Sequence, residues 1–407
     1  MPTPVIVAAT RTPIGRARKG SLKDLRPDDL AAHIITAALE TIPALDRAEI
    51  DDLQLGCAIP EGHQGGNLAR TVAILAGLDH VPGATVTRFC ASSLEATRNA
   101  ANAIAAGQAD VVIAAGVESL SIGAGARIID EDVRNPIFRD AWERTEKRAQ
   151  SAPGEIPWRD PRESGELPDP YIAMGLTAEN VAEHCGISRA DQDAWAVMSQ
   201  NRAEQAQKSG FFAREITPVT LSDGTVVDTD DSPRHGATLE ATGALDPVFR
   251  PGGTVTAGNA CPINDGAAAL ILMSEEKAHE LGLRPLARVV TSAVTGLSPE
   301  IMGLGPIDST RRALDQAGLT MEDIDLVELN EAFAAQVVAS QRELGIPAEK
   351  LNIHGGAIAL GHPWGMTGAR LLTTLINGLD EKDGRYGLAT LCVGGGQGMA
   401  VIIERIR

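Results

Sequence analysis

Apolar and polar positions along this chain switch between two periods, that of strands and that of helices. Val5 to Ala9 is an unbroken apolar run that reads as a first strand, and Asp29 to Leu39 has helical spacing through Leu30, Ile34, Ile35 and Ala38. Ile50 to Leu55 predicts a second strand. Gln64-Gly65-Gly66-Asn67 opens another helix, through Ala69, Val72, Ala73 and Ala76. Val81 to Arg88 is an extended approach to a helix from Ser92 to Ala106, and Asp110 to Ala115 is a β-branched strand of the buried kind. From about Glu118 to Phe249 the rhythm lapses. Proline and charge rise there, and three of the four tryptophans appear (Trp142, Trp158, Trp195). Within that stretch one helix is predicted from Met174 through Val181 and another from Arg189 to Ser209, the second with Asp191 and Asp193 near its start, where the macrodipole favours acids. The alternation resumes at Thr254. Later, Ala357-Ile358-Ala359-Leu360 alternates small and apolar residues before Gly361, His362 and Pro363, and Thr367 to Leu372 is helical; strand, tight turn, helix is the prediction.

The second half repeats the first. Glu49 to Leu55 resembles Asp323 to Leu329, the turn and helix after Cys90 match those after His362, and Val111 to Gly116 pairs with Leu388 to Gly394. Three matches in the same order predict a duplicated α/β unit. Residues 1–117 with 250–268 would form one half, 118–249 an inserted loop domain, and 269–407 the other half. Duplication brings equivalent strand ends to one place, and ligands bind outside such ends. Cys90, Asn330, His362 and Cys392 all fall at predicted strand ends.

Composition narrows the function. The 407 residues are 43% hydrophobic and 22% charged, as in a soluble globular protein of more than one unit. A formal net charge of −18 argues against nucleic acid and anionic membrane as partners, yet leaves room for a phosphorylated ligand held by a few local donors. The apolar run at the start is too short for a signal peptide, and no apolar segment is long enough to cross a bilayer. Five scattered cysteines give neither a disulfide framework nor a zinc spacing, which fits a reducing cytoplasm. The eight histidines form no ligand pair, so a metal-dependent hydrolase is excluded.

Candidate chemistry gathers at the strand ends. Cys90 sits where a strand turns into a helix, so the helix end and its free N–H groups should favour thiolate. His362 lies in a glycine-rich turn that lets a ligand approach. Cys392 precedes three glycines, whose bare N–H groups can build an oxyanion hole, and Asn330 opens the segment Asn330-Glu331-Ala332-Phe333. Taken singly, each has a plain structural reading: a small buried thiol, a hydrogen-bonded histidine, a glycine hairpin, an asparagine cap. Together they supply a nucleophile, a base, a second thiol to move a proton, and an amide to hold a water. That set implies acyl transfer through a cysteine thioester, with no metal or other cofactor.

Seven motifs in order, VIVAATRTPIG, RFCASSLEA, MGLTAENVAE, TAGNACPINDGAAA, ELNEAFAAQ, NIHGGAIALGHPWGMTGAR and LATLCVGGGQGMA, are similar to those of the thiolase family over nearly the whole chain. The resemblance implies a duplicated αβαβα body with an inserted loop domain, active on CoA thioesters as a homodimer or homotetramer. It implies that Cys90 takes the acyl group, His362 accepts its proton, and Cys392 exchanges a proton with the α-carbon of acetyl-CoA. His362 with a water on Asn330 would stabilise one oxyanion, and the N–H groups of Cys90 and Gly394 the other. The loop domain would hold CoA, with Arg234 near the adenine and Met174 and Phe249 along the pantetheine and acyl channel, and Ala257, Cys261 and Phe333 completing the binding set. Two positions depart from the family: Cys261 stands where serine is common, and Ala173 stands where short-chain acetoacetyl-CoA thiolases often carry histidine, a hint toward longer acyl groups. The loop from Arg127 to Pro170 follows no pattern and would help to shape the acyl pocket. The expected activity is thiolysis of 3-ketoacyl-CoA, as in fatty-acid β-oxidation, or its reverse, with acetoacetyl-CoA chemistry as the alternative. A decarboxylating ketoacyl synthase would not need Cys392, and a non-catalytic CoA binder should have lost one of these residues.

Overall fold

The computed structural model describes residues 1–122 and 133–406; Arg127, at the start of the unpatterned loop, lies outside them. The first half runs β1 (Pro4–Arg11), β2 (Gly15–Arg16), α1 (Pro27–Glu40), β3 (Asp52–Gly56), α2 (Leu68–Leu75), β4 (Gly83–Val86), α3 (Ser92–Ala105) and β5 (Val111–Ser119). The insertion holds α4 (Arg139–Ala149), α5 (Met174–His184), α6 (Arg189–Ser209), β6 (Val219–Thr220), β7 (Val226–Val227) and α7 (Leu239–Gly243). After β8 (Asn264–Ser274) and α8 (Glu275–Glu280), the second half runs β9 (Ala287–Gly296), α9 (Gly305–Ala317), β10 (Leu326–Leu329), α10 (Ala334–Leu344), α11 (Ala357–Leu360), α12 (Thr367–Lys382), β11 (Tyr386–Val393) and β12 (Gln397–Arg405). Among the described residues no helix is long and apolar enough to cross a membrane.

The duplication is visible in the hydrogen bonds. In the first half β3 pairs in parallel with β5, β5 antiparallel with β8, and β8 antiparallel with β1. In the second, β10, β11, β12 and β9 repeat those three pairings in the same senses. The place of β4, parallel beside β3, is taken by a single parallel bridge from Val327 to Leu351. The halves join along β1 and β9, through Val5 opposite Arg288 and Ile6 opposite Ala287. β8 runs unbroken through residue 268 inside the first half's sheet.

Three separate cores set the layers. One lies between α1 and α2 and the first half's sheet, through Leu30, Ile34, Val72, Ile113 and Ile271. A second fills the middle, where α3 (Leu94, Ile104) and α12 (Leu371, Leu375) sit between the sheets. The third packs α9 and α10 on the outer face of the second half's sheet, with Ala313, Val337 and Leu388. Helix, sheet, helix, sheet, helix is the order. β5 and β8 are covered on both faces and are buried at every position, which is why they read as continuous apolar runs.

One element differs from its prediction. Ala357-Ile358-Ala359-Leu360 is a helical turn, not a strand. All four residues are buried, so no polar face marks a period, and in so short an apolar run alternation of size carries no strand signal.

Candidate active site

Cys90 is aimed by a strained turn. Phe89 takes a left-handed backbone (φ 43°), a conformation that costs energy in a residue with a side chain and persists where the surroundings enforce it. The Ser92 hydroxyl closes the turn by donating to the Phe89 carbonyl (2.6 Å) and accepting from Arg88 N–H (3.0 Å). Cys90 is left half-buried at the start of α3, and the N–H groups of Gly394 and of Cys90 itself point at its sulfur. Burial outweighs those donors and pushes the thiol up to about 11. The expectation of a resting thiolate is therefore corrected: desolvation beats the helix end.

His362 is held on every side. Gly361 has φ 112°, and a Cβ there would lie 2.5 Å from Asn264 Cγ, so only glycine fits. Asn264 Oδ1 accepts the His362 N–H (3.0 Å), while its amide donates to the Gly15 carbonyl and to Ser232 Oγ, each at 3.0 Å. On the ring, Nδ1 is 2.7 Å from Thr367 Oγ1, and Nε2 is 3.2 Å from Asn330 Nδ2. Burial, then the charge of Arg370, lowers the imidazole to about 3, so it is neutral at rest. Asn330 Oδ1 is buried and has no partner among the described residues, which fits an acceptor for a bound water.

Cys392 is the last residue but one of β11, and Gly394-Gly395-Gly396 turns the chain into β12. Its side chain is fully buried in an apolar cluster with Met302 and Phe333, flanked by Met174 and Phe249. Its thiol is pushed well above the ordinary range by burial, then by the neighbouring sulfurs of Cys90 and Cys261. Cys261 is half-buried and donates its N–H to the Ala332 carbonyl (3.1 Å). Phe249 and Phe333 meet edge to face with centroids 6.2 Å apart. Met174 opens α5, and its sulfur would lie 3.8 Å from a Cβ built on Gly394. Arg234 and Ala257 are exposed and outside this cluster. Arg234 N–H donates to Gln200 Oε1 (2.7 Å), two residues from Ser232, which braces Asn264.

The central helices explain why these residues converge. The first turns of α3 and α12 touch, with Ala369 N–H donating to Ser93 Oγ (2.9 Å). Gly368 allows the approach, since a Cβ there would strike the Leu94 backbone at 2.3 Å. Two positive helix ends thus face one site from the two halves. Sequence reasoning missed Thr367, Asn264 and Glu331. Glu331 is fully buried and accepts from Trp195 Nε1 (3.0 Å), Ser199 Oγ (2.6 Å), Asn352 Nδ2 (2.9 Å) and Ile358 N–H (3.1 Å), tying α6 of the insertion to the segment before His362. Only Thr367 carried a usable signal, as the polar residue of the first helical turn after the histidine.

Paired α/β halves with a cysteine, a neutral histidine and a second thiol at their junction define the class of acyl-transferring condensing enzymes. The family pattern "Thiolase, N-terminal domain" matches residues 4–276, and "Thiolase, C-terminal domain" matches residues 283–405. The chain is 46% identical to a beta-ketoadipyl-CoA thiolase of Pseudomonas aeruginosa, over 98% of each chain. It is also 46% identical to the 3-oxoadipyl-CoA/3-oxo-5,6-dehydrosuberyl-CoA thiolase of Escherichia coli, covering 97% of this chain and 98% of that one. The crystal structure of the Bacillus anthracis acetyl-CoA acetyltransferase superposes with a TM-score of 0.86 at 39% identity, over 100% of this chain and 99% of that one. The chain belongs to the thiolase family. It is an acyltransferase that cleaves acyl-CoA substrates with CoA.

Proposed function

We propose that this thiolase acts on a 3-oxoacyl-CoA whose acyl chain ends in a carboxylate, with 3-oxoadipyl-CoA as the substrate and succinyl-CoA and acetyl-CoA as products. The observation that carries this reading is the near full-length 46% identity to two thiolases named for 3-oxoadipyl-CoA. It replaces fatty-acid breakdown, the expected setting, with dicarboxylic acyl chains.

In this proposal the Cys90 thiol passes its proton to His362 Nε2 as sulfur attacks the C3 carbonyl. The C2–C3 bond breaks, its electron pair leaves on acetyl-CoA as an enolate, and Cys392 protonates the α-carbon. The CoA thiol then gives its proton to the Cys392 thiolate and attacks the succinyl thioester, and the Cys90 sulfur leaves with the proton returned by His362. One oxyanion is held by the N–H groups of Gly394 and Cys90, the other by His362 and a water on Asn330. Met174, Phe249, Phe333, Ala257 and Cys261 line the way for pantetheine, and Arg234 waits at the surface for the nucleotide. Two neutral partners in a dry site suit this scheme, because charge then appears only as the reaction proceeds.

Purified enzyme should cleave 3-oxoadipyl-CoA with kcat/KM at least tenfold above that for 3-oxohexanoyl-CoA and acetoacetyl-CoA. Equal or better use of either neutral substrate overturns the reading. A preference for acetoacetyl-CoA would make this an acetyl-CoA acetyltransferase, the reading that the 39% identical Bacillus structure favours. We also propose a cytoplasmic homodimer or homotetramer. The open edge of β4 and the exposed Ile74 and Leu75 of α2 support association, and a monomer mass by light scattering would refute it.

A further inference from the structure

The glycine hairpin that carries Gly394 joins β11 to β12 and has no side chains of its own to hold it. Gly395 and Gly396 both take positive φ (76° and 80°), and Gly395 is exposed. A run of three glycines samples many backbone states unless its surroundings select one. The far end is set by main chain: the Gly396 carbonyl accepts the Leu297 N–H (2.9 Å), and Gln397 pairs with Val393 across the hairpin and with Gly296 of β9. At the near end the hold comes from side chains. Arg88 Nη1 donates to Gln397 Oε1 at 2.7 Å across 309 residues, and Gln397 Nε2 reaches back to the Gly394 carbonyl at 3.5 Å. Arg88 is fastened in turn, since its Nε donates to Glu95 Oε2 on α3 (3.0 Å) and its own N–H is held by Ser92 Oγ inside the nucleophile turn (3.0 Å).

These bonds form a strap between the two halves of the site. One end is the turn that aims the Cys90 sulfur, and the other is the hairpin whose Gly394 N–H points at that sulfur. Phe89 fills the space between them: a Cβ built on Gly394 or on Gly395 would lie 3.6 Å from its ring. A polar pair at a protein rim contributes little when its ends are free. Here Arg88 is only 25% exposed, and both ends of the strap are bonded into the segments that must meet. An N–H that stabilises a developing oxyanion is effective only if it is already aimed, because nothing then has to reorganise as charge appears. We propose that Arg88 is a positioning residue which, through the Gln397 amide, holds the Gly394 N–H at its working distance from Cys90. This rests on the oxyanion role given to Gly394 above, and it is independent of which acyl chain the enzyme takes.

The test follows acyl transfer from CoA to Cys90, read as a mass shift in quenched single turnovers, using whichever of succinyl-CoA and acetyl-CoA acylates wild type faster. Arg88→Met removes the donors, Gln397→Met removes the relay without changing the charge, and the double variant removes both. Each single variant should lose about 10- to 100-fold in maximal acylation rate, while the acyl-CoA concentration giving half that rate moves by less than about twofold. The double variant should be within about twofold of the slower single one, because both substitutions cut the same strap. Melting temperatures should stay within about 3 °C of wild type, since both side chains are half-buried. Unchanged acylation in either single variant, losses that multiply in the double variant, a loss seen only as weaker binding, or a larger fall in melting temperature overturns the assignment. If wild type acylates Cys90 and both single variants keep its rate, only the strap falls. If wild type forms no acyl-enzyme on Cys90, the mechanism proposed above falls with it.

Discussion

Thr367 sets the tautomer of His362. Its hydroxyl donates its one proton to the Pro363 carbonyl at 2.7 Å, so toward Nδ1, also at 2.7 Å, it can only accept. The ring must then carry its proton on Nδ1, and Nε2 is left with a lone pair facing Asn330 Nδ2. A base is thereby prepared in the resting enzyme without any charge.

Replacing Thr367 by valine keeps the volume and removes that acceptor, so Nδ1–H loses its partner and the wrong tautomer becomes available. We expect kcat for thiolysis to drop roughly 10- to 100-fold, about 1.4 kcal/mol for each tenfold, with melting temperature little changed. Thr367→Ser should restore most of the rate. If valine at this position works as well as threonine, the hydroxyl does not govern the base.

The pH dependence of the nucleophile follows from the two opposite shifts. Cys90 is raised to about 11 and His362 is lowered to about 3, so between those values both are neutral and no imidazolium is present to hold a thiolate. Below the thiol's pKa the reactive fraction grows tenfold for each pH unit. Alkylation of Cys90 by iodoacetamide in free enzyme, followed by peptide mass spectrometry, should therefore climb without a plateau from about pH 6 to about pH 10. A plateau reached by about pH 7 would mean a standing thiolate–imidazolium pair.

How much of this was legible in the chain depended on whether the cause was local. The outer helices and buried strands declared themselves by period, and the repeat of Glu49–Leu55 at Asp323–Leu329 gave the duplication, because β3 and β10 face equivalent neighbours. Motifs marked Cys90, His362, Asn330 and Cys392. What stayed hidden acts through space: Asn264 braces the His362 backbone from 98 residues away, and Trp195 meets Glu331 across 136. The state of the Cys90 thiol was also misjudged, since sequence shows the helix that follows but not the burial that outweighs it. The helical turn at Ala357–Leu360 was misread because complete burial erases the polar face on which period depends.

Separate thiols for separate protons can be tested by removing the second one. Cys392 is buried at the end of β11 with its proton firmly held, as a group that protonates a departing enolate should hold it. Cys392→Ala should still form the acyl-enzyme on Cys90, seen as a mass shift with acyl-CoA, but should lose at least about 100-fold in exchange of the acetyl-CoA α-proton for deuterium. Normal exchange in this variant would move the carbon acid–base role to another group.

Glu331 tests whether the insertion and the catalytic loop form one cooperative unit. Each of its oxygens takes two donors: Trp195 Nε1 and Asn352 Nδ2 on one, Ser199 Oγ and Ile358 N–H on the other. Glutamine in its place keeps one oxygen and turns an NH2 toward donors whichever way the amide is set, leaving a buried clash of like groups. That should lower stability by about 2–3 kcal/mol, read as a lower urea midpoint with unchanged slope. Because Glu331 adjoins Asn330 in the chain, kcat should fall as well, and the loss should be equal on charged and neutral acyl substrates. An unchanged midpoint would show that the four donors are satisfied by other means and that α6 is not fastened to the His362 segment through this carboxylate.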